Sequence, residues 1–413
     1  MKHFYTFLFL FIICTTLLFG CNKQHAGTEK DRQYENTGID QESDIASQST
    51  VEHNTNSNTN SNINSNIDAA IESKIYNGMT RIDSSIGIND DLQYQDLVHN
   101  MIAVCKQTDP QGSFLLANDQ DILFMAGLNA LEIDGETPVN PYTTYEIASL
   151  TKQFTAAAIL QLEAQGRLST SDTLGKYFPD FTNGADITID ELLHMRSGLV
   201  DYYTEYETFF ADADETRINQ IRNGQIDDQT FLSYLYRTEL KFAPGSQMQY
   251  CNTNYLLLAM IMEQTSQMTY EEYIQQNFFD KCNMTYSTCC EVGNLTSVPE
   301  IKDGYTKLGR LCRGAGDIHS NVIDLLNWER MLHQGKILDE NQLSKMFDMK
   351  DNYGCGFMGD DFGNHFHTGG LESYESFVGI FETETYGRLY LIQLYPCKNN
   401  ELSITSFIHA CTQ

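Results

Sequence analysis

A serine and a lysine stand three residues apart in this chain, Ser149 and Lys152, at the head of the alanine-rich stretch Gln153 to Leu160. Residues at i and i+3 share one face of a helix, so a lysine amine can reach the serine hydroxyl. A lysine held in an apolar site loses enough of its charge to act as a base toward that hydroxyl. The alanine-rich helix reads as buried, and a buried lysine needs a reason. A second group is Tyr250-Cys251-Asn252, between the Pro244-Gly245 turn and the apolar run Leu256 to Ile261. A phenol and an amide two apart on an extended segment can face one cleft, where Tyr250 exchanges a proton with Ser149 and Lys152 while Asn252 bonds a substrate amide. Helix capping by Asn252 or Asn254 explains the same residues without chemistry. The third group is His367-Thr368-Gly369-Gly370. Its small residues let a substrate backbone lie against the chain, and the N–H groups of Gly370 and Ser149 can form an oxyanion hole. His365 and His367 also invite a metal reading, but no carboxylate or third histidine follows at ligand spacing, so no metal is expected. A Gly-x-Ser-x-Gly elbow is absent, which removes α/β-hydrolase chemistry.

These groups need elements to hold them. Apolar spacing predicts helices over 91–106, 149–164, 190–195, 255–264, 270–279 and 403–410. Strands are expected at 113–117 and 122–127 around a polar turn, and at 374–381 and 388–395 around another. Strands at both ends with helices between them describe an α+β domain whose antiparallel sheet uses both termini (92–145 and about 305–413), with an all-helical half at about 146–304.

The remainder of the chain narrows the setting. Its 413 residues suffice for a full core without staples, and a formal charge of −30 excludes nucleic acid as a partner. Phe4 to Phe19 is apolar but shorter than the roughly 20 residues of a bilayer span, and it lies at the N-terminus behind Lys2 and His3, as a secretory signal does. The ending Leu18-Phe19-Gly20-Cys21 resembles a bacterial lipobox, with Cys21 as the lipidation site of a signal covering 1–21. Phe19 is bulkier than that pattern prefers, which keeps an uncleaved signal anchor or plain secretion as alternatives; each puts the rest of the chain outside the cytoplasm. Residues 22–91 include the near-repeat NTNSNTNSNINSN and read as a flexible Asn/Ser/Thr-rich tether. With 5 basic and 12 acidic residues there and one basic residue in 1–21, a charge of −24 is left on 92–413. Nine cysteines remain after Cys14 and Cys21, an odd number that argues for buried free thiols with one bridge at most. The segment 202–215, rich in aromatics and acids, is either a solvated loop or a rim favouring cationic substrates.

Taken together, Ser149-x-x-Lys152, Tyr250-x-Asn252 and His367-Thr-Gly resemble the penicillin-recognising serine hydrolases, in their class C β-lactamase and DD-peptidase branch. The connecting phrases Leu192 to Leu199 with Asp201-Tyr202, Gly314 to Ser320 with Asp324 and Trp328, and Tyr353 to Phe357 extend the likeness over about 92–413. The resemblance implies a β-lactamase/transpeptidase-like fold with the active site between its halves. It implies Ser149 as the acylated nucleophile, with Lys152 and Tyr250 sharing acid and base roles in an order left open. It also implies substrate contacts from Asn252, His367 and Thr368, and no cofactor. His367, where relatives often have Lys, would offer a titratable charge to a substrate carboxylate. The His-Thr-Gly form points to DD-peptidases, D-amino-acid peptidases and esterases of the cell envelope, acting on a peptidoglycan-type peptide or an ester. A true β-lactamase and a β-lactam sensor without turnover are the alternatives. Leu371, after the glycine pair, would narrow the cleft.

Overall fold

The computed structural model describes residues 76, 78–128, 139–289, 300–301, 310–371, 374–396 and 401–412. The signal, Cys21 and the tether up to residue 75 lie outside them. The described strands, in chain order, are β1 (Thr80–Arg81), β2 (Ile86–Ile88), β3 (Gly112–Asn118), β4 (Ile122–Leu128), β5 (Thr144–Glu146), β6 (Thr288–Cys289), β7 (Glu300–Ile301), β8 (Ile318–Ser320), β9 (Met358–Gly359), β10 (His365–Gly370), β11 (Tyr374–Thr383) and β12 (Gly387–Pro396). The helices that matter below are α1 (Gln95–Thr108), α2 (Thr151–Ala164), α3 (Ile189–Leu193), α4 (Glu215–Arg222), α5 (Asp228–Leu235), α6 (Asn252–Ser266), α7 (Tyr270–Ile274), α8 (Val322–His333), α9 (Glu340–Met346) and α10 (Glu401–Thr412).

Eight strands form one antiparallel sheet in the order β1-β2-β4-β3-β12-β11-β10-β9. Strand β3, from the first part of the domain, pairs with β12 from its end, Leu116 opposite Leu391, so the sheet is sewn from both termini as the apolar pattern predicts. Every residue of β3 is buried, because α1, α8 and α10 pack on this sheet. Phe114 of β3 stacks on Phe407 of α10 with ring centroids 5.2 Å apart. Helices α2 and α6 pack against each other in the middle of the chain and are nearly all buried, which is why their apolar residues run all round rather than along a stripe.

Three expectations are corrected. The sheet begins at Thr80, not after 91: β1 and β2 extend it beyond β4, with Gly87 opposite Met125, so the last residues assigned to the tether belong to the domain. A second, four-stranded sheet, β6-β8-β5-β7, is built from strands of two or three residues too short to show alternation. Helices α4, α5, α8 and α9 were also unanticipated. As for the cysteines, the seven described ones, Cys105, Cys251, Cys282, Cys289, Cys312, Cys355 and Cys411, are free thiols. No helix among the described residues is long and apolar enough to cross a membrane.

Candidate active site

Ser149 sits in a short 3-10 turn, Ala148–Leu150, that joins β5 to α2. Both sides of the turn are fixed by β8: Ile147 N donates to Ile318 O at 2.9 Å, and Ile318 N donates to Thr151 Oγ1 at 3.1 Å. Ala148 has a φ of 49°, a left-handed conformation that costs a residue with a Cβ about 1–3 kcal/mol. The bend delivers the serine hydroxyl into a narrow cleft lined by Ala148, Ser149, Tyr203, Asn252, Gly370 and Leu371, among others, with about 10 Å³ of free space, room for roughly one water.

Lys152, one helical turn on, is wholly buried. Its Nζ lies 3.0 Å from Ser149 Oγ, 2.9 Å from Asn252 Oδ1 and 2.7 Å from Ala315 O. Burial lowers its pKa to about 7, opposed by the charge of Asp201 and, more weakly, by Cys251 and Asp317. A neutral amine has two N–H bonds and one lone pair. The oxygens of Asn252 and Ala315 can only accept, so they take the two N–H bonds and leave the lone pair directed at Ser149.

Asn252 begins α6 and owes its orientation to Asp201. The buried Asp201 carboxylate accepts from Asn252 N at 2.6 Å and from Asn252 Nδ2 at 3.0 Å, as well as from the backbone N–H of Tyr203 and Thr204. Burial raises the Asp201 pKa against these hydrogen bonds. The expectation that Asn252 serves a substrate amide therefore gains a second part, since its Oδ1 is spent on Lys152. In the sequence Asp201 stands only in a connecting phrase; an acid two residues after Leu199 carries no signal of its contact with Asn252, 51 residues away.

The Ala315 carbonyl depends on a close approach. Gly314 has a φ of 73°, and a Cβ there would stand 2.7 Å from Ala259 Cβ and 2.9 Å from Tyr255 O. Thr155 Oγ1 donates to Gly314 O at 2.8 Å, and the buried Arg313 bonds Asp228 at 2.6 Å and Glu263 at 3.2 Å, clamping this segment to α2, α5 and α6.

Tyr250 lies over the lysine, with Lys152 Nζ 5.0 Å from its ring centroid. Its hydroxyl is buried and makes no hydrogen bond within bonding geometry, although it faces Ser149, the first influence opposing the effect of burial. Burial pushes its pKa upward, so the phenol stays protonated. Of the two groups whose roles the sequence left open, Lys152 is the one that can be neutral and accept a proton, and Tyr250 the one that can donate.

Strand β10 closes the cleft. Gly369 permits its approach, since a Cβ there would meet Ser376 Oγ at 2.3 Å and Ile147 O at 2.4 Å. Leu371 N donates to Tyr374 O at 2.8 Å, which makes the adjacent pair Gly370–Glu375 non-hydrogen-bonded and turns the Gly370 N–H away from β11. Gly370 and Ser149 line the same cleft, as an oxyanion site requires.

His367 departs from expectation. It is wholly buried, its Nδ1 donates to Thr368 O at 2.6 Å and its Nε2 accepts from Tyr353 Oη at 3.2 Å. Burial, and after it the nearby Lys152, lowers its pKa to about 3. The imidazole is neutral and wholly buried, so the expected titratable charge for a substrate carboxylate is missing; His367 instead supports Tyr353 beside Tyr250. Thr368 precedes the glycine pair on β10 and is half-buried. His365 stacks on Phe347 at 4.1 Å, a packing role in place of the metal reading.

The fold coincides with that of known proteins. A family model described as Beta-lactamase matches residues 103–396, and the chain belongs to that family. It is 28% identical over 268 residues to the putative penicillin-binding protein PbpX of Bacillus subtilis (strain 168), covering 61% of this chain and 63% of that one. It is 26% identical over 312 residues to protein flp of Staphylococcus aureus (strain N315), covering 69% and 60%. The chain thus spans about three fifths of the length of these relatives. Among solved structures, FmtA from Staphylococcus aureus superposes with a TM-score of 0.63 at 16% identity, covering 83% of this chain and 95% of that one. The D-amino acid amidase from Ochrobactrum anthropi SV3, complexed with L-phenylalanine amide, gives 0.59 at 21%, covering 78% and 98%. These likenesses establish the β-lactamase/transpeptidase-like fold that the three motifs imply.

Proposed function

We propose that the chain is a serine hydrolase that forms an acyl-enzyme on Ser149 from amides or esters. The observation that carries this reading is the Lys152 amine, 3.0 Å from Ser149 Oγ with a pKa lowered to about 7. Lys152 takes the Ser149 proton as Oγ attacks the carbonyl carbon, and the developing oxyanion lies between the N–H groups of Ser149 and Gly370. Tyr250 protonates the departing nitrogen or oxygen. Tyr250 then recovers a proton from the Lys152 ammonium, which frees the amine again; water attacks the acyl carbon as its proton passes to Lys152, and that proton returns to Ser149 Oγ as the ester bond breaks, regenerating the serine.

The basic group beside Ser149 is Lys152, whose pKa is lowered to about 7, and His367 is neutral. This favours neutral D-amino-acid amides, peptides or esters over substrates that must be held by a carboxylate beside the scissile bond, as β-lactams are. Names among the structural relatives, a D-stereospecific amidohydrolase and a D-amino acid amidase, agree with that preference. In this reading the domain stands outside the cytoplasm on a lipid attached to Cys21, with the segment after it as a spacer, and works on the cell envelope.

The test is to incubate the protein and its Ser149→Ala variant with a D-phenylalanine amide, a p-nitrophenyl ester, a D-Ala-D-Ala peptide, a fluorescent penicillin and a chromogenic cephalosporin, following adduct and turnover by mass. Ser149-dependent turnover of amide or ester is expected. Absence of any Ser149-dependent adduct or turnover overturns the assignment; a stable penicillin adduct without turnover of any substrate identifies a sensor.

A further inference from the structure

Beside the cramped serine cleft lies a larger cavity of about 240 Å³ lined by Tyr203, Tyr206, Phe210, Ile221, Leu311 and Arg222, among others. Tyr203 belongs to both walls: it also lines the Ser149 cleft and packs on Ala148, Cys312 and Leu371. The two spaces are therefore neighbours across one aromatic side chain. A pocket of roughly 150 Å³ with apolar walls suffices for a benzene ring, so this cavity has room for an aryl group and its linking methylenes. Three of its wall residues are braced by their contacts. Tyr202 at its base donates its hydroxyl to Leu311 O, Phe210 packs edge-on against Tyr234 at 5.2 Å, and Ile221 is buried.

The charge at the mouth selects further. Arg222 is exposed, with its guanidinium 5.9 Å over the Tyr206 ring. The acids of this segment are largely engaged elsewhere: Glu205 bonds Lys241 at 2.8 Å, Asp212 lies 3.7 Å from Arg237, and Asp214 caps α4 by accepting from Arg217 N. No carboxylate is among the residues lining the cavity, and its apolar and aromatic walls suit an uncharged group.

Resting on the acyl-enzyme reading above, we infer that the Tyr203–Tyr206–Phe210–Ile221 cavity is the specificity subsite of the enzyme and receives an aryl or branched-alkyl side chain on the acyl half of the substrate. The acyl half stays bonded to Ser149 through both steps of the reaction, whereas the leaving group needs only a path to solvent. A pocket sharing a wall with the nucleophile's cleft therefore serves the acyl half longest. Tyr203, half-buried between the two spaces, is the side chain that turns aside for the substrate to pass.

The test compares p-nitrophenyl acetate with p-nitrophenyl 3-phenylpropionate, which share a leaving group. The wild-type chain should prefer the phenylpropionate, and the ratio of kcat/KM values should fall about tenfold or more when the pocket is filled in Ile221→Phe or opened in Tyr206→Ala. Only the ratio is read, so a loss common to both esters does not count. Should both variants fail to fold, the wild-type protein decides: 2-phenylethylboronic acid should inhibit at least tenfold more tightly than methylboronic acid. Unchanged ratios in a folded variant, or equal inhibition by the two boronates, overturn the subsite while leaving the hydrolase intact. No Ser149-dependent hydrolysis of either ester overturns the hydrolase, and the subsite with it.

Discussion

Asn252 Oδ1 lies 2.9 Å from Lys152 Nζ, and the same side chain is gripped through its nitrogen by Asp201. An amide at this place orients the lysine without charging it. A carboxylate in its stead would favour the ammonium, so the neutrality of one side chain controls whether Lys152 can act as a base.

The pH dependence of acylation follows. With the Lys152 pKa lowered to about 7, the base is protonated below that pH and free above it. Single-turnover acylation should thus rise roughly tenfold per unit up to pH 7 and level off above it. In Asn252→Asp the new carboxylate raises the lysine pKa by about 1–3 units. The rising limb should move to higher pH by that amount, and a limb that stays put would show that Lys152 is not the base.

Tyr250, held protonated by burial, is needed where the leaving group must gain a proton. For Tyr250→Phe, kcat/KM on an anilide or amide should fall about 10²–10⁴-fold, while a p-nitrophenyl ester, whose leaving group departs as a stable anion, should lose much less. Equal losses on both substrates would assign Tyr250 to positioning alone.

The buried His367 and the partly buried His333 and His365 set the acid limit of stability. His333 and His367 are lowered to about 3 and His365 to about 4, in each case chiefly by burial. The unfolded chain binds their protons below about pH 6.5 while the native state does not, so stability is full above that pH and is lost as pH falls toward 3. His194 works in the opposite sense: burial lowers its pKa, but Asp190 and Cys355 outweigh that and raise it to about 10, so its contribution is present below pH 6.5 and lost as pH rises through 10. Urea unfolding should give a stability that rises from pH 4 to about 6.5 and rises no further above it, and His367→Gln should reduce that rise. Introducing a charge in His367→Lys should lower Tm sharply, because the ammonium would be buried behind Tyr353.

Anchoring through Cys21 is testable on the full chain in a bacterial host. Labelled palmitate should enter the wild-type protein and not Cys21→Ser, and the variant should leave the membrane fraction. A variant that remains in the membrane would point to an uncleaved signal anchor.

Much of the site was legible in local chemistry. Ser149 and Lys152 meet because i and i+3 share a helix face, a relation internal to three residues. Strands β3, β4, β11 and β12 were readable from apolar runs bounded by polar turns, and α2 and α6 from long apolar segments. Helices α4, α5, α8 and α9 were less visible because they are short or mixed in polarity, yet each begins at an Asp or Asn whose side chain accepts from the first turn: Asp214, Asp227, Asn321 and Asp339. Those caps were the signal available for them.

The sequence by itself determined which groups can do chemistry and which segments can bury themselves, because both follow from residue type and spacing along the chain. Tertiary structure alone decided their protonation and their partners. The Lys152 pKa is lowered because the fold buries the amine, with Ala315 and Asn252 brought to it from 163 and 100 residues away. His367 is neutral because Tyr353 and the surrounding protein bury it. Desolvation and long-range hydrogen bonds depend on what surrounds a group in space, and no local pattern encodes that.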